Sequence, residues 1–209
     1  MRKVEEKIVP ITLDKTAAST ASGDLDGLLA SLGDALIPSN APILYASCCE
    51  TVLGPMLAIA DQQELYLLEF ITRKGLAREI AGLRKQGFAL VPGHTAPLQS
   101  IASELKAYFA GTLIQFNTPF RMLGTPFQQQ VWQALAQIPY GATRSYAEQA
   151  RSLGKPTAYR AVANANGANQ LALIIPCHRI IASNGDLGGY GGGVAMKQWL
   201  LQHERATRG

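Results

Sequence analysis

Thr125-Pro126-Phe127-Gln128 and Ser145-Tyr146-Ala147-Glu148 are both capping boxes: a Ser or Thr side chain caps the backbone three residues on, and a Gln or Glu there caps back. Two helix starts so close together commit this part of the chain to short helices. Pro126 takes the first helical position, where a missing N–H costs nothing, and Phe127, Val131, Leu135 and Ile138 then line one face of a helix running to about Gln137. Pro139-Tyr140-Gly141 breaks it. The second box opens a short helix ending near Leu153-Gly154, and Lys155-Pro156 leads into a third over about 157–166. Two helices joined by a glycine-containing turn outline a helix-turn-helix, whose second member enters a DNA groove, and equally a packed helix pair.

The third helix is unlike a major-groove reader. Ala158, Ala161, Ala163 and Ala165 are small, and Arg160 is its one long cation, so it either packs tightly on a neighbour or approaches a narrow groove closely with one projecting side chain. Charge leaves the same choice. Residues 121–209 hold 9 Lys+Arg against 3 Asp+Glu, whereas residues 1–120 hold 10 against 12. A basic C-terminal half meets a polyanion or is a solvated basic surface.

The 209 residues, 47% hydrophobic and 16% charged, suffice for a sizeable core. Residues 1–40, rich in Ser, Thr, Ala, Gly and Asp and ending at a Pro-flanked boundary, read as a tail. Leu25, Leu28, Leu29, Leu32 and Leu36 give it one short amphipathic helix capped by Asp24. Over 41–120 the pattern predicts an α/β domain with a small antiparallel sheet. Its strands are Ile43–Ala46, Met56–Ile59 and Leu65–Ile71, then a helix through Leu76, Ile80 and Leu83, a strand over Phe88–Val91, and a helix through Leu98, Ile101, Leu105 and Tyr108. That region shows no catalytic constellation, so its expected role is structural. Residues 121–209 form a mostly α domain.

No apolar run is long enough to span a membrane and the first residues lack a secretory pattern, so the expected location is cytoplasmic, or nuclear in a eukaryote. Three cysteines, two of them adjacent, exclude a disulfide framework, and no Cys/His cluster has metal-ligand spacing.

Chemistry concentrates in one place. The apolar run Leu171-Ala172-Leu173-Ile174-Ile175 stops at Pro176-Cys177-His178-Arg179 and resumes as Ile180-Ile181, which reads as a strand interrupted by its most reactive residues. A thiolate is the reactive form of cysteine, and both His178 and Arg179 are able to lower the thiol pKa or take its proton. A buried inert cysteine is the alternative. Adjacent side chains diverge in strand and helix alike, so a Cys177–His178 relay needs a bridging water or a sharp turn at Pro176. The carboxylates of this half that could orient His178 are Glu204, Glu148 and Asp186, with Glu204 the best placed.

Pro176-Cys177-His178-Arg179 within its isoleucines, Asn184-Gly185, Gly189-Tyr190 and Lys197-x-Trp199-Leu200-Leu201-x-His203-Glu204 closely resemble the O6-alkylguanine-DNA alkyltransferases, including the C-terminal part of Ada proteins. Phe127-Gln128-x-x-Val131-Trp132, Ser145-Tyr146, Arg160-Ala161-Val162 and Asn166-Gly167-Ala168-Asn169 extend the match. The resemblance implies an RNase H-like N-terminal domain and a winged-helix-like C-terminal one. The implied protein is a monomer that uses no cofactor and no protein partner, binds the minor groove of alkylated double-stranded DNA, and flips out O6-alkylguanine or O4-alkylthymine. The alkyl group would move irreversibly to Cys177. His178 would be the water-mediated base, Glu204 its orienting carboxylate, Asn169 the brace of the active-site turn and Tyr146 the proton donor to the leaving base. Arg160 would fill the space of the extruded base, with Tyr146, Thr157, Ala161, Asn164 and Arg179 also on DNA. Pro176, Tyr190, Gly191 and Gly192, within a glycine run from Gly188, would wall the pocket. Tyr159, where the family carries a small residue, and Gly191, where some members carry serine, bear on DNA affinity and alkyl range. A non-catalytic alkylated-DNA sensor lacks the cysteine, and a cysteine hydrolase places its Cys and His far apart.

Overall fold

The computed structural model describes residues 41–208. The amphipathic helix read near Leu25 to Leu36 lies outside the described residues. Strands β1 (Ile43–Cys49), β2 (Met56–Ala60) and β3 (Leu65–Phe70) form the expected meander, followed by α1 (Leu76–Lys85), β4 (Ala89–Pro92) and α2 (Ala96–Phe109). The sheet order is β3-β2-β1-β4, and β4 lies parallel to β1. The sheet is therefore mixed where a purely antiparallel one was expected. The physical reason is that α1 carries the chain back between β3 and β4, a helical crossover that lets β4 enter in the direction of β1.

Both faces of this sheet are covered, which is why β2 and β3 are buried at every position and read as nearly continuous apolar runs instead of alternating. Leu44, Leu57, Ile59 and Leu67 pack on one side with Leu76, Ile80 and Leu83 of α1. Met56, Ala58, Leu65 and Leu68 face the other side, where Leu98, Ile101, Leu105 and Tyr108 of α2 share one core with Val131, Trp132, Leu171 and Leu200 of the C-terminal half.

That half comprises α3 (Pro126–Ala136), β5 (Arg144–Ser145), α4 (Tyr146–Ser152), α5 (Tyr159–Gly167), a 3-10 turn (Cys177–Arg179), β6 (Ile180–Ile181) and α6 (Val194–Ala206). Both capping boxes form, with each cap made in both directions. Helix α5 starts at Tyr159 with no side-chain cap, so Thr157 belongs to the turn before it. Gly154, at φ 68°, provides the left-handed bend between α4 and α5.

Residues 171–175 form a turn and no strand. Leu68 on edge strand β3 donates its N–H to Gln170 and accepts from Ala172, each at 2.8 Å, so the edge is closed here by an isolated bridge at Leu171, as it is at Leu65 by another to Phe120. The apolar residues here are apolar because the turn is buried, not because it is extended. Leu173, at φ 70°, takes a left-handed conformation that a branched residue rarely adopts, and it is buried. Such a conformation persists only where its surroundings hold it.

Helix α5 is held against the other helices by polar contacts. The Trp132 indole N–H donates to Ala165 O at 2.8 Å, and buried Gln149 and Asn166 exchange amide hydrogen bonds of 3.2 and 2.7 Å. Asn166→Ala leaves the Gln149 carbonyl unpaired in the core and is expected to cost about 1–3 kcal/mol. Chemical denaturation would read this as a lower midpoint at unchanged slope; an unchanged midpoint would show that the pair contributes nothing to seating α5.

Candidate active site

The sequence after the bridge at Leu171 turns back sharply, and Pro176 delivers Cys177 as the first residue of the 3-10 turn. Asn169 organises this reversal. Its Nδ2 donates to Ile175 O at 2.8 Å and to Cys177 Sγ at 3.4 Å, while its Oδ1 accepts from Leu171 N at 3.0 Å. One buried amide thereby fixes both ends of the turn and touches the sulfur.

Cys177 is half-buried, and burial pushes its thiol up to about 11, opposed chiefly by the Asn169 hydrogen bond. The expectation that His178 and Arg179 lower this pKa is therefore corrected. Both side chains are bonded to a shared carboxylate, and neither bonds the sulfur. A thiol raised this far is almost wholly protonated at neutral pH, so attack by its sulfur would need the proton to be removed on the way.

The shared carboxylate is Glu204, fully buried on α6. Its Oε1 accepts from His178 Nε2 at 2.7 Å, Tyr108 OH at 2.9 Å and Arg179 Nη2 at 2.9 Å. Its Oε2 accepts from Arg179 Nε at 2.9 Å and the Gly141 N–H at 3.0 Å. Burial alone would push Glu204 up, but His178 and Arg179 together hold its carboxyl well below the usual carboxylate range. Burial lowers the pKa of His178 even though Glu204 opposes this, so the imidazole is neutral at pH 7. With Nε2–H donated to Glu204, Nδ1 carries the free lone pair. Nδ1 is buried and has no partner among the described residues.

Arg179 was expected on DNA, and the structure places it inside. It is 7% exposed, both nitrogens on one side clamp Glu204, and Nη1 donates to Ile138 O at 2.6 Å. A guanidinium committed this way is no phosphate contact.

Tyr146 and Tyr190 lie near the sulfur. Each phenol is pushed up first by burial and then by the proximity of Cys177. The Tyr190 ring meets His178 edge-on at 6.5 Å, and its hydroxyl has no partner among the described residues. Gly188, at φ 66°, passes so close to Tyr146 that a Cβ there would sit 3.4 Å from the ring. Pro176 is buried, and Gly191 and Gly192 follow Tyr190 in the same loop.

On α5 the burial pattern sorts the residues. Val162, Ala165 and Asn166 face the core, whereas Thr157, Tyr159, Arg160, Ala161 and Asn164 are exposed along one side. The Arg160 guanidinium lies 5.7 Å from the Tyr159 ring centroid. Thr157 to Ala161 line a groove of about 450 Å³. The alanines thus serve both readings: Ala165 packs inward, while Ala161 faces out.

Three residues that the pattern treated as core or structural belong to the site. Tyr108, read as an apolar position of α2, brings its hydroxyl to Glu204. Lys197 is completely buried, its Nζ bonded to Ile180 O, Leu187 O and, at 3.3 Å, Gly189 O, and burial lowers its pKa to about 8. Its spacing from Leu200, Leu201 and Glu204 on one helical face was the available signal, because a lysine on a buried stripe needs a polar partner. Arg73, in the N-terminal half, donates to Gly167 O at 2.7 Å. No grouping of His, Cys, Asp and Glu suited to a metal ion occurs among the described residues, and no helix among them is long and apolar enough to cross a membrane.

Known proteins match this arrangement. Residues 126–206 fit the family described as 6-O-methylguanine DNA methyltransferase, DNA binding domain. The methylated-DNA–protein-cysteine methyltransferase of Methanosarcina barkeri is 40% identical over 162 residues, covering 77% of this chain and 97% of its own. That of Salmonella typhimurium is 42% identical over 158 residues, covering 74% and 91%. The crystal structure of Mycobacterium tuberculosis OGT in complex with DNA superposes with a TM-score of 0.67 at 37% identity, covering 79% of this chain and 94% of that one. With relatives this similar matched over nearly their whole length, the chain belongs to the methylated-DNA–protein-cysteine methyltransferase family.

Proposed function

We propose that this protein repairs DNA by direct reversal, moving an alkyl group from O6 of guanine (or O4 of thymine) in double-stranded DNA irreversibly onto Cys177 Sγ. The observation that carries the reading is the half-buried Cys177 thiol beside a His178–Glu204 pair whose Nδ1 is buried, unpartnered among the described residues and able to take a proton. Water bridges the thiol to Nδ1, because adjacent residues on this turn do not meet directly. As Sγ attacks, its proton passes through the water to His178 Nδ1, an S–C bond forms and the C–O6 bond breaks, and the electron pair left on the base is neutralised by a proton from Tyr146 at N3; the proton held by His178 then returns through solvent to the Tyr146 phenolate. The net change is the thiol proton exchanged for the alkyl group. Nothing in the site restores the thiol, so the protein turns over once, and Glu204 serves by keeping His178 in the tautomer that accepts at Nδ1.

The DNA is held in its minor groove by the exposed side of α5. Thr157, Ala161 and Asn164 lie against the groove and Arg160 fills the place of the extruded base, while Tyr190, Gly191, Gly192 and Pro176 wall the base pocket. We further infer an RNase H-like unit over 41–120 and a winged-helix-like unit over 121–209. The β3-β2-β1-β4 order with a parallel β1–β4 pair supports the first, and α4, α5 and the β5–β6 ribbon support the second. The protein acts as a monomer in the cytoplasm.

Incubation with a duplex carrying labelled O6-methylguanine is expected to leave label on the peptide containing Cys177, at one equivalent per chain or less, and Cys177→Ala to abolish it. Repeated turnover, or label elsewhere, would overturn the reading. Arg160→Ala is expected to slow repair in duplex far more than reaction with free O6-benzylguanine, since only the duplex has a base to extrude; equal losses would reject its role. The pH profile follows from His178. Its pKa is lowered by burial, so the accepting neutral form persists at neutral pH and is lost only as pH falls below the ordinary histidine value. Single-turnover rates with the free base should thus be flat from neutral to mildly alkaline pH and fall on the acid side. A rate rising tenfold per pH unit between 7 and 9 would mean that preformed thiolate is the reactant.

A further inference from the structure

Arg73 lies far from the cysteine in sequence, just beyond β3. It is 8% exposed, and its Nη1 is paired with Glu69 at 3.0 Å and Glu79 at 2.7 Å, both carboxylates also buried. Nη2 donates at 2.7 Å to the carbonyl of Gly167, the last residue of α5. The shaft of the same side chain runs beneath the glycine loop: a Cβ on Gly191 would stand 2.7 Å from Nε and 3.2 Å from Cδ. One side chain thus touches the helix that carries Arg160 and the loop that carries Tyr190.

A buried arginine held by two acids is a poor way to add stability, because desolvation offsets most of what the pairing returns and pushes both carboxyls up, Glu69 to about 8. It is a good way to hold one guanidinium in one place. Ion pairs at Nη1 tie it to Glu69 on the sheet and to Glu79 in the first turn of α1, and the hydrogen bond from Nη2 to Gly167 O gives it a direction. A cation at the last carbonyl of α5 also suits the negative end of the helix dipole. The glycine loop is also held by Lys197, which binds Leu187 O and Gly189 O. Between these two clamps the position of Gly191, and with it the neighbouring Tyr190 ring, has little freedom.

We propose that Arg73 is a specificity-determining positioning residue: tied to the sheet and α1, it sets how far the Gly191 loop stands from the reactive sulfur, and hence which alkyl groups the pocket admits. The proposal rests on the alkyl-transfer reading above. It gives the N-terminal half a part in substrate choice beyond that of a scaffold, and explains why glycine is required at 191 in this chain. A larger residue there must push against a tethered guanidinium, so the loop yields inward toward the pocket.

The test is a double-mutant cycle on the full chain with Gly191→Ser and Arg73→Met, reading single-turnover rates for O6-methylguanine in a short duplex and for free O6-benzylguanine. In the native background Gly191→Ser is expected to lower the benzyl-to-methyl rate ratio. In the Arg73→Met background the serine has room, and that penalty should shrink by about fivefold or more, within the range that touching residues show. Glu79→Gln, which loosens the guanidinium without removing it, should shrink it in the same direction and serves if Arg73→Met does not fold. Additive effects in every background, or Arg73 variants that lower the melting temperature without changing the ratio, would overturn the proposal. If the native protein transfers neither alkyl group, the functional reading fails instead, and the two failures are told apart by that control.

Discussion

Everything at the reactive end of this molecule converges on the buried carboxylate of Glu204. A full negative charge removed from water is tolerable only when its lone pairs are filled, and here His178, Arg179, Tyr108 and the Gly141 backbone fill them. These donors come from the 3-10 turn, from α2 in the N-terminal half and from the turn after α3. The carboxylate therefore holds three parts of the chain together as well as orienting a histidine. Removing it would strand the Arg179 guanidinium in the interior, a loss on the order of 3–5 kcal/mol for a broken buried pair. A tight turn is also needed there, since a Cβ on Gly141, at φ 71°, would meet the Glu204 carbonyl at 3.0 Å.

The reactive turn depends equally on the sheet. Edge strand β3 offers unpaired backbone groups at Leu68, and residues 170–172 take them. That pairing seats the reversal in which Asn169 holds Ile175 O and the sulfur. Buried Leu173 sits in a left-handed conformation between these two anchorages. The N-terminal half thus supplies the surface on which the thiol is presented, and through Tyr108 and Arg73 it reaches into the site itself. Burial pushes the resting thiol up to about 11, which fits the proposed reading that a neighbouring base takes its proton during attack.

Local chemistry made much of this legible in advance. Both capping boxes, Pro126 at the head of α3, the strands of the meander and the helical faces of α1 and α2 follow from short-range rules, and each element formed near its expected limits. The pairing of His178 with Glu204 was also within reach, because few acids occur in a basic half. What misled was the apolar stretch over 171–175, since burial and strand formation select the same residues, and periodicity cannot separate them over so short a run. Arg179, which the resemblance put on DNA, is placed differently for a related reason: the acid that buries it lies 25 residues on, beyond any local pattern.

The amino-acid sequence by itself determined the helix starts, the apolar faces and the family, and singled out Cys177 as the candidate nucleophile, because capping, periodicity and a contiguous Pro-Cys-His-Arg motif are properties of neighbours along the chain. Only the tertiary structure decided the direction of β4, the raised thiol pKa, and the recruitment of Tyr108, Lys197 and Arg73. Each of these depends on what is buried against what across long stretches of sequence. Desolvation and hydrogen-bond saturation are set by that three-dimensional enclosure, and no local pattern encodes it.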